Sequence, residues 1–154
     1  MPVDVGSKAP DFTLMDQDRS PVTLSSLHGH PVVLAFFPAA FSGTCTHELC
    51  TFRDQLGELN KVHARVLGIS VDTFFALKAF HDKEQLAFPL LSDFNKATIR
   101  TYGVVNPDMI GLHDIAKRAV FVLDREGVVR YREVLDDARN EPDYGKVMAS
   151  VQAL

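Results

Sequence analysis

Two stretches of six residues, Val32-Val33-Leu34-Ala35-Phe36-Phe37 and Val66-Leu67-Gly68-Ile69-Ser70-Val71, run apolar with almost no alternation. A strand with one wet face alternates apolar and polar side chains, so continuous runs of this length describe strands covered on both faces. Each run precedes a segment of helical periodicity. Pro38 ends the first run and Ala39 to Gly43 has loop character. From about Thr44 the positions Leu49, Phe52, Leu56, Leu59 and His63 then follow three- and four-residue spacing, with Glu48, Arg53, Asp54, Glu58 and Lys61 between them. That pattern predicts one amphipathic helix of about twenty residues. Thr73 to Leu86 carries Phe74, Leu77 and Phe80 at similar spacing. A β-α-β-α unit of this kind belongs to the α/β class, with helices on both faces of a mixed sheet.

The flanking segments extend this frame. Phe12-Thr13-Leu14 and Val22-Thr23-Leu24, separated by the polar stretch Asp16 to Pro21, read as a small N-terminal hairpin. Ala119 to Leu123 and Val128 to Val134 flank Asp124-Arg125-Glu126-Gly127, a turn with glycine at its left-handed position, and predict an antiparallel hairpin. Between them lie the short apolar piece Phe88-Pro89-Leu90-Leu91, a short helix from about Asn95 to Tyr102 stopped by Gly103, and an irregular stretch from Val104 to Ile115. The tail from Pro142 through Tyr144, Val147, Met148 and Val151 predicts a closing helix.

A chain of 154 residues suits a single domain over 1–154. It can hide roughly 68–70% of its unfolded surface, so its two cysteines are not needed as a staple. The net charge is −4 and no long basic tract occurs, which argues against a nucleic-acid partner. The longest apolar run, Val32 to Phe41, is interrupted by Pro38 and falls far short of the ~20 residues of a membrane helix. The first residues have neither a basic nor an apolar signal region, so the expected location is the cytoplasm.

The stretch Phe36 to Cys50 carries the chemistry. It places Cys45 in the first turn of a helix that follows a buried strand, where unpaired amide N–H groups and the positive end of the helix dipole favour a thiolate. From position alone, Cys45 reads equally as a nucleophile or as a small buried hydrophobe. Cys50 lies five residues on. On an intact helix the two Cα atoms are roughly 8–9 Å apart, beyond the ~7 Å that a disulfide spans. A Cys45–Cys50 bridge therefore requires the first turns to unwind, and Cys50 reads equally as a packed helix residue.

Pro38-x-x-x-Ser42-x-x-Cys45 after an apolar strand resembles the active-site signature of the peroxiredoxins, P-x-x-x-[TS]-x-x-C. Ala9-Pro10-Asp11-Phe12-Thr13-Leu14, Phe88-Pro89-Leu90-Leu91-Ser92-Asp93 and Arg118-Ala119-Val120-Phe121-Val122-Leu123-Asp124 resemble further family segments, spread over nearly the whole chain. Phe36 to Cys45 and Tyr102-Gly103-Val104 are most similar to the alkyl hydroperoxide reductase E-like group. The second cysteine five residues after the first instead resembles the bacterioferritin comigratory protein (PrxQ) group.

The resemblance implies a thioredoxin-like fold: a central mixed β-sheet flanked by helices, with an N-terminal hairpin. It also implies a thiol peroxidase without metal or cofactor. Cys45 becomes the peroxidatic cysteine, attacking a hydroperoxide to give a sulfenic acid. Ser42 supplies a hydroxyl where most relatives have Thr, its bland alternative being a helix N-cap. Pro38 shields the thiolate, or merely ends the strand. Backbone N–H groups of Thr44 and Cys45 face the peroxide. Arg118, otherwise an ordinary strand-end charge, offers a permanent positive fork to thiolate and peroxide. Glu48 and Arg53 are expected as orienting ion-pair partners of Arg118, with solvated helix charges as the alternative.

Cys50 becomes the resolving cysteine after local unwinding, with overoxidation in competition. The reductant is thioredoxin, a glutaredoxin-like protein or a low-molecular-weight thiol, and a homodimer is expected. A one-cysteine cycle with an external resolving thiol is the closest alternative. A thioredoxin-type oxidoreductase calls for C-x-x-C, which this chain lacks. A metal module built on Cys45, His47, Cys50 and His113 lacks the ligand geometry of a closed zinc site. A chaperone lacks a spare apolar stripe.

Overall fold

The computed structural model describes residues 3–154. Among these, the strands are β1 (Thr13–Asp16), β2 (Pro21–Thr23), β3 (Val32–Phe36), β4 (Arg65–Ser70), β5 (Leu90–Ser92), β6 (Val105–Asn106), β7 (Ile115–Ala116), β8 (Arg118–Leu123) and β9 (Val129–Leu135). The helices are α1 (Gly43–Asp54), α2 (Leu56–Lys61), α3 (Phe74–Glu84), α4 (Ala97–Tyr102) and α5 (Tyr144–Gln152). Seven strands make one mixed sheet in the order β2-β1-β5-β4-β3-β8-β9. At its centre β3 runs parallel to β4 and antiparallel to β8. The expected α/β architecture is therefore the observed one. The N-terminal hairpin joins the main sheet through β1 and β5.

Period-two geometry explains why β3 must be apolar throughout. Val33, Ala35 and Phe37 point to a core shared with Leu49 and Phe52 of α1, Phe80 of α3 and Val147 of α5. Val32, Leu34 and Phe36 point to the opposite core, against Ile69, Phe121 and Tyr102. Each fully buried Val, Leu or Phe stabilises the fold by about 1.5–3 kcal/mol. Gly68 is a glycine for lack of room: a Cβ there would lie 2.7 Å from Leu90 Cδ2 and 3.4 Å from Phe37 Cε1.

Helix ends are set by side chains. Thr73 Oγ1 accepts from Ala76 N to begin α3, and Asp143 Oδ1 accepts from Lys146 N to begin α5. Buried Asp93 accepts from Thr98 N and Ile99 N at 3.1 and 2.8 Å, which starts α4. That helix ends at Gly103, whose φ of 70° suits glycine. In the β8–β9 turn Asp124 Oδ1 accepts from Glu126 N and Val128 N, and Gly127 adopts φ 82°.

Two expectations are corrected. The single helix of about twenty residues is two, broken at Gln55 (φ −87°, ψ −1°). Gly57 weakens helix continuation by roughly 0.5–1 kcal/mol, and the break is compensated by burial of Leu59 in the core. The stretch from Val104 to Ile115 is not wholly irregular, because β6 pairs antiparallel with β7 at its two ends. That pairing closes a loop whose tip carries exposed Ile110 and Leu112.

Candidate active site

The site lies where β3 gives way to α1. Pro38 is buried, and the following loop reaches a left-handed φ of 69° at Phe41. Asp72 holds this loop: its Oδ2 accepts from Ala40 N at 2.8 Å and from Ser70 Oγ at 2.7 Å. Phe41 packs edge-on against Phe80, with ring centroids 5.1 Å apart. The first intrahelical bond of α1 runs from Thr46 N to Ser42 O. The amides of Gly43, Thr44 and Cys45 precede it and are the unpaired donors of a helix start.

Cys45 is fully buried at this helix start. Arg118, the first residue of β8 and only 1% exposed, donates through Nη1 to Cys45 Sγ at 3.3 Å. The same Nη1 donates to Glu48 Oε1 at 2.8 Å, and Nη2 donates to the Ala138 carbonyl at 2.8 Å. The guanidinium is thus fixed from three sides. Burial disfavours its charge, but the neighbouring Glu48 and Cys45 outweigh this and hold the Arg118 pKa above its ordinary value.

Glu48 is completely buried and its Oε2 has no partner among the described residues. Burial pushes its pKa up to about 7, with Arg118 opposing and the Glu141 and Glu133 carboxylates adding. Such a group favours the fold while it keeps its proton. That contribution is full below the ordinary value of 4.5 and is lost as pH rises through about 7. Denaturant-unfolding stability of the wild type is expected to fall across this window relative to Glu48→Gln, which does not titrate and keeps an acceptor for Arg118. Parallel pH profiles for the two proteins would contradict the assignment.

A cavity of about 640 Å³ opens beside Arg118. Pro38, Ser42 and Thr44 line it from the loop and first turn of α1, and Met109 and Ile110 from the loop between β6 and β7. It offers a permanent cation and helix-start amides beside apolar surface, a combination that suits a small polar head with an apolar tail.

Two expected site residues, Ser42 and Arg53, are placed differently, and Cys50 lies on the same helix as Cys45, as its spacing predicts. Ser42 Oγ donates to the Ala39 carbonyl at 3.1 Å and makes neither a side-chain cap nor a bond to the thiol. Arg53 is not beside Arg118: its Nε donates to Asp54 Oδ1 and its Nη1 to the Glu84 carbonyl at 2.6 Å. Cys50, half-buried on α1, donates from Sγ to Glu84 Oε2 at 3.4 Å. Burial and the Glu84 hydrogen bond raise its pKa. Both thiols are free, and the intact α1 helix separates them.

Among the described residues no group of His, Cys, Asp and Glu is placed to hold a metal ion. His47 pairs with Glu141, which also accepts from Tyr144 Oη at 2.6 Å, and His113 Nδ1 meets the Pro107 carbonyl. Asp72, Glu84 and the Ala138 carbonyl carry no motif of their own. Only the place of Asp72, just past the carboxyl end of a central strand where α/β sites gather, is a signal readable from sequence.

The model of the AhpC/TSA family matches residues 5–132. Peroxiredoxin Q, chloroplastic, of Triticum aestivum is 43% identical over 129 residues, covering 84% of this chain and 58% of the relative. This chain therefore spans less than two thirds of that relative's length. Alkyl hydroperoxide reductase E of Mycobacterium tuberculosis is 42% identical over 135 residues, 86% of each protein. Among solved structures, peroxidoxin BcpB from Mycobacterium tuberculosis superposes with a TM-score of 0.88 at 33% identity, covering 99% of this chain and 98% of that one. Both groups suggested by the motifs are thus represented. With the family model matched over most of its length and a relative of similar extent at 42% identity, this chain belongs to the AhpC/TSA family of peroxiredoxins.

Proposed function

We propose that this protein is a thiol-dependent peroxidase that reduces hydrogen peroxide and organic hydroperoxides through Cys45. One observation carries the reading: a single buried guanidinium donates to Cys45 Sγ at 3.3 Å while Glu48 and Ala138 hold it in place beside an open cavity. The thiolate attacks the terminal peroxide oxygen and an S–O bond forms as the O–O bond breaks. The leaving oxygen takes a proton and departs as water or an alcohol, and the product is the Cys45 sulfenic acid. Arg118 and the helix-start amides stabilise charge on the attacking sulfur and on the leaving oxygen, and they need no reorganisation to do so. Met109 and Ile110 favour substrates with an apolar substituent.

Cys50 then resolves the sulfenic acid as an intramolecular disulfide once α1 unwinds, and thioredoxin, a glutaredoxin-like protein or a low-molecular-weight thiol reduces the bridge. A cycle that needs such a reductant suits a reducing compartment, the cytoplasm. No helix among the described residues is long and apolar enough to cross a membrane. Exposed Phe41, Ile110 and Leu112 on the two loops next to the site support a homodimer.

Intact-mass analysis with thiol counting after one equivalent of hydrogen peroxide tests the cycle. The wild type is expected to lose about 2 Da as the disulfide forms, and Cys50→Ser to gain about 16 Da as the sulfenic acid accumulates. A wild type that gains oxygen and keeps Cys50 as a free thiol would instead establish resolution by an external thiol.

A further inference from the structure

Cys50 does not line the cavity; its partners lie on α3. Glu84, the last residue of α3, accepts from Cys50 Sγ through its carboxylate and from Arg53 Nη1 through its carbonyl. The C-terminal half of α1 is therefore tied twice to one residue. The second tie has a structural cause. Gln85 adopts a left-handed conformation that ends α3, and the last carbonyls of a helix lack intrahelical partners and attract a cation. Arg53 supplies that cation.

The first tie has a chemical consequence. The groups facing Cys50 are Glu84, Arg53 and Asp54; burial and the two carboxylates keep the thiol protonated, and Arg53 opposes them. A protonated thiol is a poor nucleophile. We propose that Glu84 is a positioning residue that latches the Cys50 thiol to the end of α3 and so restrains disulfide formation until α1 unwinds. The inference rests on Cys50 being the resolving cysteine.

Release of the latch frees the thiol in two ways: it removes an acceptor for the S–H, and it lets the thiol ionise away from a carboxylate. The Cys50 thiolate then attacks the Cys45 sulfenic sulfur. An S–S bond forms, the S–O bond breaks, and the departing hydroxide combines with the proton lost by Cys50 to give water. Cys50 sulfur is oxidised and the sulfenic sulfur reduced, so the hydroperoxide already consumed is the only oxidant needed. While the latch is closed the sulfenic acid stays open to a second peroxide, which yields sulfinic acid. Glu84 thereby shifts the balance between turnover and overoxidation.

The test compares wild type with Glu84→Ala and Glu84→Gln in rapid-mixing experiments with hydrogen peroxide. Loss of one hydrogen bond predicts disulfide formation about two- to tenfold faster in Glu84→Ala, with the second-order peroxide step unchanged and less sulfinic acid at a given peroxide excess. Glu84→Gln, which keeps an acceptor but loses the charge, is expected to fall between the two. In a Cys45→Ser background, alkylation of Cys50 is expected to begin at lower pH when Glu84 is Ala and also when it is Gln, whose similar volume keeps Cys50 buried, so that the shift in Glu84→Gln reports the lost carboxylate and not a loosened α1. Unchanged disulfide rates, or an unchanged alkylation profile, overturn the latch alone. A wild type that forms no Cys45–Cys50 disulfide overturns the resolving role and the latch with it.

Discussion

Substitution of Cys45 by Ser is expected to abolish peroxide consumption, lowering kcat/KM by a factor on the order of 10⁴ or more. The magnitude follows from the chemistry of the atom replaced. A hydroxyl at this position stays protonated near neutral pH and cannot attack the O–O bond, whereas a thiolate beside Arg118 can. The fold should survive, because the oxygen is smaller than sulfur and still accepts the hydrogen bond from Arg118 Nη1. Far-ultraviolet circular dichroism and the denaturation midpoint should therefore stay close to wild type while turnover disappears. Peroxidase activity retained in Cys45→Ser would move the chemistry to another group and end the assignment of this site.

The second large effect belongs to Arg118. Its replacement by Ala removes three hydrogen bonds at once and strands the Glu48 carboxyl in a fully buried position. Breaking a buried pair by deleting one member costs roughly 3–5 kcal/mol. Losing a fixed donor to the reacting atoms costs about 10²–10³ in rate. Stability and chemistry are thus expected to fall together, and a companion variant separates them. Arg118→Met combined with Glu48→Leu replaces the pair by apolar side chains and is expected to recover most of the stability. The rate of Cys45 oxidation, measured on the folded protein with one equivalent of peroxide, should stay low in both. Recovery of the rate along with stability would show that Arg118 serves the fold and not the reaction. Arg118→Lys should rescue only in part, since a point charge cannot reach Sγ, Glu48 and Ala138 from one planar fork.

Local pattern was enough to read much of the architecture. The unbroken apolar runs of β3 and β4 required cover on both faces, and the two cores supply it. Cys45 at the first turn of a helix after a buried strand was equally legible, because helix periodicity and the proline-to-cysteine spacing are both short-range. Helix continuity was less legible: the apolar spacing from Leu49 to His63 predicts one helix, yet the chain breaks at Gln55 and α2 buries Leu59 in the core.

Contacts between distant segments are a different matter. Arg118 stands 73 residues from Cys45, and what brings it to the thiol is the register of β3 on β8. Phe36 pairs with Ala119, so Arg118 falls one residue further on, at the end of the sheet from which the active-site loop departs. Shifting that register by one residue would turn the guanidinium to the opposite face. Of the two charged positions on one helix, Glu48 faces inward beneath the guanidinium as its opposite charge, while Arg53, a like charge that Arg118 would repel, turns to the end of α3. Ser42 likewise spends its hydroxyl on Ala39 because the loop conformation, held by Asp72, decides where it points. The sequence by itself determined the class of fold, the cysteine and its place at a helix start, since each depends on neighbours along the chain. Which charges surround the two thiols was decided by tertiary structure alone, because strand register and helix packing set the direction of every side chain that reaches them.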